Sequence, residues 1–179
     1  MKIDYCTITD YRFLIFIDKF KSEVGPESHM YNWLDTGKLC RISQVLCVVD
    51  NDEIVAVSCE KIYGNYLRIG SPQYTLKSYR KKCRNILFKK DGFFPSHLTT
   101  AKRDNLEIFF SVHAFNNRMK VHAENLYKRR ISNNLKDLDF LDDVKFLGIH
   151  KFHNVDQYLF GYNVTSIDQL FSVINQTLK

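Results

Sequence analysis

The middle of the chain constrains its fold most. From Gln44 the apolar pattern is that of strands: Val45-Leu46-Cys47-Val48-Val49 stops at Asp50-Asn51-Asp52 and resumes as Ile54-Val55-Ala56-Val57. A β-branched run broken by Asn and Asp is a hairpin signal, because those side chains tolerate the left-handed backbone that a tight turn demands. Tyr63-Gly64-Asn65 supplies a second turn, and Tyr66 to about Leu76 a third antiparallel strand. The segments on either side must supply helices to cover these strands.

They do so in pattern. Met1 to Thr7 alternates as a short first strand, and Asp10 stands where an N-cap belongs, before Phe13, Ile17, Phe20 and Val24 at helical spacing. Gly25-Pro26 ends that helix, and a second short helix is expected over Met30 to Thr36. After Leu76 the chain reads as helical from Tyr79 or Lys82 to Lys90, and Phe93 to Asn105, with Pro95 and two threonines, as an irregular loop. Leu106 to His113 is the next strand, followed by a helix from Asn116 to about Ile131. Val144 to His153 and Asp156 to Val164 form a hairpin around Asn154. Ser166 to Gln169 has capping-box form and opens a C-terminal helix carrying Ile167, Leu170, Phe171, Ile174 and Leu178. The predicted order, β α α β β β α β α β β α, is that of an α+β layered fold.

The chain's 179 residues, 45% of them hydrophobic and 26% charged, suit a single domain spanning residues 1–179. Cys6, Cys40, Cys47, Cys59 and Cys83 are odd in number and show no paired spacing, so neither a disulfide framework nor a zinc ribbon is indicated. A cytoplasmic protein is expected. Phe13 to Ile17 is too short to cross a bilayer or to serve as a signal core, so no membrane partner is expected. No metal site is expected: His150 and His153, three apart on a strand, point to opposite faces.

One stretch stands out chemically. Lys61 to Lys90 carries Lys61, Arg68, Lys77, Arg80, Lys81, Lys82, Arg84, Lys89 and Lys90 without one carboxylate, within a net charge of +6. Apolar and aromatic residues, among them Tyr66, Tyr74 and Phe88, interleave with the cations, so the run belongs to the fold and is no disordered tail. A phosphorylated cofactor, a nucleic acid and plain solvent are the three things that such a face can meet.

The element order, with the residues around this run, resembles the GNAT N-acyltransferase superfamily. Members pass from a hairpin with an acidic turn into a fourth strand, then into a helix whose start carries Arg or Gln, two residues, Gly, one residue, and Gly or Ala. Asp52-Glu53-Ile54-Val55 matches the first feature, and Tyr74 through Lys82 lies at the second; the signature frame is Arg80, Lys81, Lys82, Cys83, Arg84, Asn85, with both glycine positions replaced. Val112-His113-Ala114-Phe115-Asn116-Asn117 is similar to the strand and asparagine-led helix that follow in the family, and Leu126-Tyr127 to a later Leu-Tyr pair, about one helical turn beyond its usual place.

The resemblance implies a GNAT-like fold with a central, mixed, mostly antiparallel sheet flanked by helices, and an extra C-terminal helix. It implies transfer of an acetyl or other acyl group from acyl-coenzyme A to the primary amine of a small molecule or peptide; a homodimer is compatible with it. Gln73 and Thr75, with Leu76 nearby, would hold the pantetheine arm and polarise the thioester carbonyl. Arg80, Lys81, Lys82, Cys83, Arg84 and Asn85 would hold the pyrophosphate, and Asn116 would touch the pantetheine. Tyr127 would protonate the departing thiolate, and Glu60, the nearest acid because the fourth strand has none, would serve as general base.

Two other readings compete. The replaced glycines and the missing strand carboxylate fit a GNAT-like binding or structural module without catalysis. Tyr66, Tyr74 and Tyr79 among the cations fit a nucleic-acid binder, which ranks last.

Overall fold

The protein is described here from a computed structural model, for residues 1–27, 42–83, 92–113, 144–152 and 155–177. Among these residues seven strands form one sheet: β1 Lys2–Cys6, β2 Gln44–Asp50, β3 Glu53–Tyr63, β4 Tyr66–Thr75, β5 Glu107–His113, β6 Val144–Phe152 and β7 Val155–Tyr162. Their order is β1-β2-β3-β4-β5-β7-β6, and every neighbouring pair is antiparallel except β4 and β5. Among the described residues three α-helices pack on the sheet: α1 Tyr11–Val24, α2 Phe93–Asp104 and α3 Ile167–Thr177.

Local chemistry explains most boundaries. Asn51 and Asp52 both take positive φ, 50° and 63°, between the paired ends Asp50 and Glu53, as a two-residue hairpin requires. The Asp10 carboxylate accepts from the Arg12 N–H at 2.9 Å and caps α1, and the Ser166 hydroxyl accepts from the Gln169 N–H at 3.3 Å at the start of α3. Both caps stand where the sequence placed them.

Side-chain alternation sorts the core into two layers. On one face α1 buries Phe13, Phe16, Ile17 and Phe20 over Val45, Cys47, Val57 and Cys59. Farther along that face α3 sets Leu170 and Ile174 over Tyr63, Tyr66, Phe109 and Leu159. On the other face α2 sets Phe94, Leu98 and Ala101 over Leu67, Ile69 and Ile108, while Phe93 reaches Leu46, Val48 and Val55. Each such buried aromatic or leucine stabilises the fold by about 2 kcal/mol.

The helix α2 overturns the loop expected over Phe93 to Asn105. Pro95 stands in the first helical turn, where its missing N–H costs no hydrogen bond. Phe93, Phe94, His97, Leu98 and Ala101 then fall on one buried stripe, and Asn105, at φ 52° and ψ 49°, terminates the helix in the left-handed conformation. The helix expected from Tyr79 or Lys82 to Lys90 is, in its described part, a 3-10 turn over Lys77–Tyr79 and a further turn to Cys83. Residues 84–91 and the expected helices Met30 to Thr36 and Asn116 to Ile131 lie outside the described residues. Among the described residues no helix is long and apolar enough to cross a membrane.

Candidate active site

The sheet opens where the parallel pair of β4 and β5 gives out. β4 and β5 pair only through Tyr66↔Glu107, Leu67↔Ile108 and Arg68↔Phe109, although β4 runs on to Thr75 and β5 to His113. Just beyond the last pair β4 bulges: Glu60 faces Ile69 and Ser58 faces Gln73, so Cys59 alone spans Gly70, Ser71 and Pro72. Gly70 takes φ 66°, a conformation that a side chain would strain, and Pro72 has no N–H to pair.

Past the bulge the backbone direction is set by one bond. The Leu76 N–H donates to the Val55 carbonyl at 3.0 Å, so Leu76 and, by alternation, Tyr74 turn their backbone groups to β3. Gln73 and Thr75 therefore turn theirs to the opposite side, where β5 has parted from β4. Two of the residues singled out from sequence thus present their N–H and C=O groups to a gap in the sheet. Leu76 does not: its N–H is taken and its side chain, 3% exposed, is part of the core under α1.

The turn after β4 is held by a carboxylate from elsewhere. Glu23, at the end of α1, accepts the Lys77 N–H on its two oxygens at 3.1 and 3.0 Å and the Tyr74 hydroxyl at 3.1 Å, while its carbonyl accepts Lys77 Nζ at 2.7 Å. Arg80 donates to the Tyr74 hydroxyl at 3.1 Å and to the Thr75 carbonyl at 3.5 Å. Burial pushes the Tyr74 phenol up, with Arg80 opposing. Lys82 lies 3.6 Å from Asp50 and 5.2 Å from the Tyr79 ring centroid, and Lys81 is exposed. The basic run, free of acids in sequence, is thus met by two of them in space. Its tyrosines form no open stacking row either: Tyr66 is buried, Tyr74 packs edge-on against Phe20 at 4.6 Å between centroids, and Tyr79 sits beside Lys82.

Cys83 is a correction to the signature frame. Its N–H donates to the Tyr79 carbonyl at 2.9 Å, and its thiol is buried among Leu46, Val48, Val55 and Phe93. Both groups are thus taken up within the fold. The first α-helix described after β4 opens at Phe93, with Gly92 as its N-cap and Ser96 Oγ donating to the Gly92 carbonyl at 3.0 Å. A glycine, Gly92, thus stands at the start of that helix, and it follows Lys89, Lys90 and Asp91 in sequence. Gly92, Phe93 and Phe94 carry the N–H groups left over at that terminus. Arg84, Asn85, Asn116 and Tyr127 lie outside the described residues.

Glu60 is the second correction. It is 1% exposed on the face under α2, where its Oε1 lies 2.7 Å from His97 Nδ1, and His97 Nε2 lies 2.8 Å from Ser58 Oγ. Ser58 and His97 are fully buried as well. Burial pushes the His97 imidazole down and Glu60 opposes the shift. A neutral ring protonated on Nδ1 satisfies all three groups, donating to Glu60 and accepting from Ser58. Glu60 is thus closed off from solvent, with one carboxylate oxygen held by His97. The sequence reading missed His97 and Ser58, although the stripe of Phe93, Phe94, His97, Leu98 and Ala101 carries the signal. On the opposite face Arg68, 4% exposed at the last paired position, donates to Ser111 Oγ at 3.0 Å, and burial lowers its pKa.

No protein-family profile matches the chain, and no curated protein sequence does. Its structure is similar to solved ones along most of its length. An acetyltransferase of the GNAT family from Streptococcus pneumoniae superposes with a TM-score of 0.56 at 12% identity, over 89% of this chain and 96% of that one. The chain has the GNAT fold. An acyl-CoA N-acyltransferase from Pseudomonas aeruginosa gives 0.56 at 10% identity over 90% and 98% of the two chains. Arabidopsis thaliana Naa50, solved in complex with the bisubstrate analogue CoA-Ac-MVNAL, gives 0.55 at 12% identity over 92% and 100%.

Proposed function

We propose that this GNAT-fold protein transfers an acetyl or other acyl group from an acyl-coenzyme A to a primary amine on a small molecule or peptide. The observation that carries this reading is the gap beyond Arg68 and Phe109, into which the backbone groups of Gln73 and Thr75 point. Donors already fixed in a sheet stabilise the charge that develops on a thioester oxygen without reorganising, an effect worth about 3 kcal/mol for one such donor. The N-terminal turn of α2 at Gly92, with Arg80, Lys81 and Lys82 and the sequence neighbours Arg84 and Asn85, is the place for the pyrophosphate. Asn116 and Tyr127 keep the roles that the resemblance gives them, at the pantetheine and the leaving thiolate. Glu60 acts as base only through His97.

Calorimetric titration with acetyl-coenzyme A, together with thiol release over a panel of primary amines, tests the proposal. Saturable heat and amine-dependent thiol release are expected; neither at millimolar ligand overturns it. The burial of Glu60 behind His97 favours a second reading, a GNAT-fold binding module without catalysis. Cofactor heat with no thiol release for any amine selects that reading.

A further inference from the structure

The hydrogen-bonded chain Ser58–His97–Glu60 lies outside the groups that would touch the cofactor, yet its placement relates the two halves of the cleft. Ser58 and Glu60 are two apart on β3 and project from the same face, with Cys59 between them spanning the bulge of β4. Glu60 is opposite Ile69, where β4 is still close to its pairing with β5, and Ser58 is opposite Gln73, where β4 lines the gap. The imidazole of His97 thus bridges the β3 residues on either side of Cys59, opposite the bulge, at 2.7 Å to Glu60 and 2.8 Å to Ser58. His97 is also four residues after Phe93, the first residue of α2, so it stands one helical turn from the terminus assigned to the pyrophosphate.

Burying three polar side chains is costly, and apolar packing of similar volume is often as stable or more so. What hydrogen bonds add that apolar contact lacks is register: Phe93, Phe94 and Leu98 can slide over the sheet, whereas a ring held at both nitrogens cannot. We propose that Ser58, His97 and Glu60 are positioning residues that lock the N-terminal turn of α2 to β3 opposite the bulge, and through the pairing of β3 with β4 to the outer half of β4, so that phosphate-binding and pantetheine-binding groups are presented in one fixed relation. This rests on the acyl-coenzyme A reading above.

The test measures binding, not turnover, so that any role of Glu60 in proton transfer does not enter. Acetyl-coenzyme A affinity is measured by calorimetry for the wild type, Ser58→Ala, Glu60→Gln and Leu170→Ala. Ser58→Ala cuts the link on the gap side and is expected to raise Kd about tenfold or more. Glu60→Gln keeps an acceptor for His97 Nδ1 and is expected to stay within about threefold of wild type. Leu170→Ala opens a cavity under α3, on the opposite face, and is expected to lower Tm at least as far as Ser58→Ala while leaving Kd within about threefold. Should Ser58→Ala not fold, His97→Asn, which keeps only the bond to Glu60, takes its place. Wild-type binding with Ser58→Ala unchanged, or weakened no more than Leu170→Ala, overturns the positioning role and leaves the acyl-coenzyme A reading standing. No binding by the wild type overturns both.

Discussion

His97 sets up a contest between burial and a carboxylate whose outcome is readable in the pH dependence of stability. Burial is the larger influence and lowers the imidazole pKa; the Glu60 oxygen 2.7 Å away opposes it. In the unfolded chain the ring titrates near its ordinary value of about 6.5. The sign follows from the lowered folded pKa. Above about pH 6.5 the ring is neutral in both states and contributes nothing to pH dependence; as pH falls below that value the unfolded state takes up a proton that the folded state refuses. Stability is therefore lost on acidification, at up to about 1.4 kcal/mol per pH unit, until the folded pKa is reached. Between pH 6.5 and 5 the loss comes to at most about 2 kcal/mol, a sizeable share of the total for a chain this long.

The assay is urea denaturation at half-unit pH steps from 7.5 to 5, on the wild type and on His97→Asn, with a common m-value required for the comparison. Asn keeps a donor for Glu60 but cannot titrate. His150, whose pKa burial also lowers, is present in both proteins and cancels in their difference. The wild type is expected to lose stability relative to the variant as pH falls from 6.5. Parallel curves would refute the buried neutral imidazole. A wild type that gains on the variant would show that Glu60 prevails and that the folded ring is cationic.

Replacing Gly70, at φ 66°, by Ala puts a side chain where the backbone is left-handed; it is expected to cost about 1–2 kcal/mol by denaturant unfolding, and an unchanged midpoint would show that the bulge needs no glycine. Glu23→Ala strips the acceptor from the Lys77 N–H and the Tyr74 hydroxyl, so a loss of about 1–3 kcal/mol is expected, with faster amide exchange at Lys77 as the local readout. Asn105→Ala lowers stability by about 1 kcal/mol because Asn105 ends α2 at φ 52°, whereas Asn105→Gly is tolerated; equal effects from the two would contradict the left-handed cap. Buried Cys59, its thiol pushed up to about 12 by burial, is expected to resist a thiol reagent until the protein unfolds.

What the sequence determined by itself were the elements whose causes are local. A two-residue turn depends on Asn51 and Asp52 alone, the first turn of α1 on Asp10, that of α3 on Ser166, and the central strands on their own β-branched runs. The GNAT-like order followed from these, and the place of Gln73 and Thr75 with it. The tertiary structure decided what depends on residues far apart. Pro95 and the threonines of α2 read as helix breakers in isolation, and only the apolar sheet beneath Phe93, Phe94 and Leu98 makes a helix the better state, because buried area outweighs propensity. The same holds for charge. Glu23 meets the basic run from 54 residues away, and Glu60 meets His97 from 37, encounters that no local pattern encodes. Strand pairing fixed the gap itself: that β4 and β5 part after Arg68 and Phe109 is a relation between two backbones, and neither sequence carries it alone.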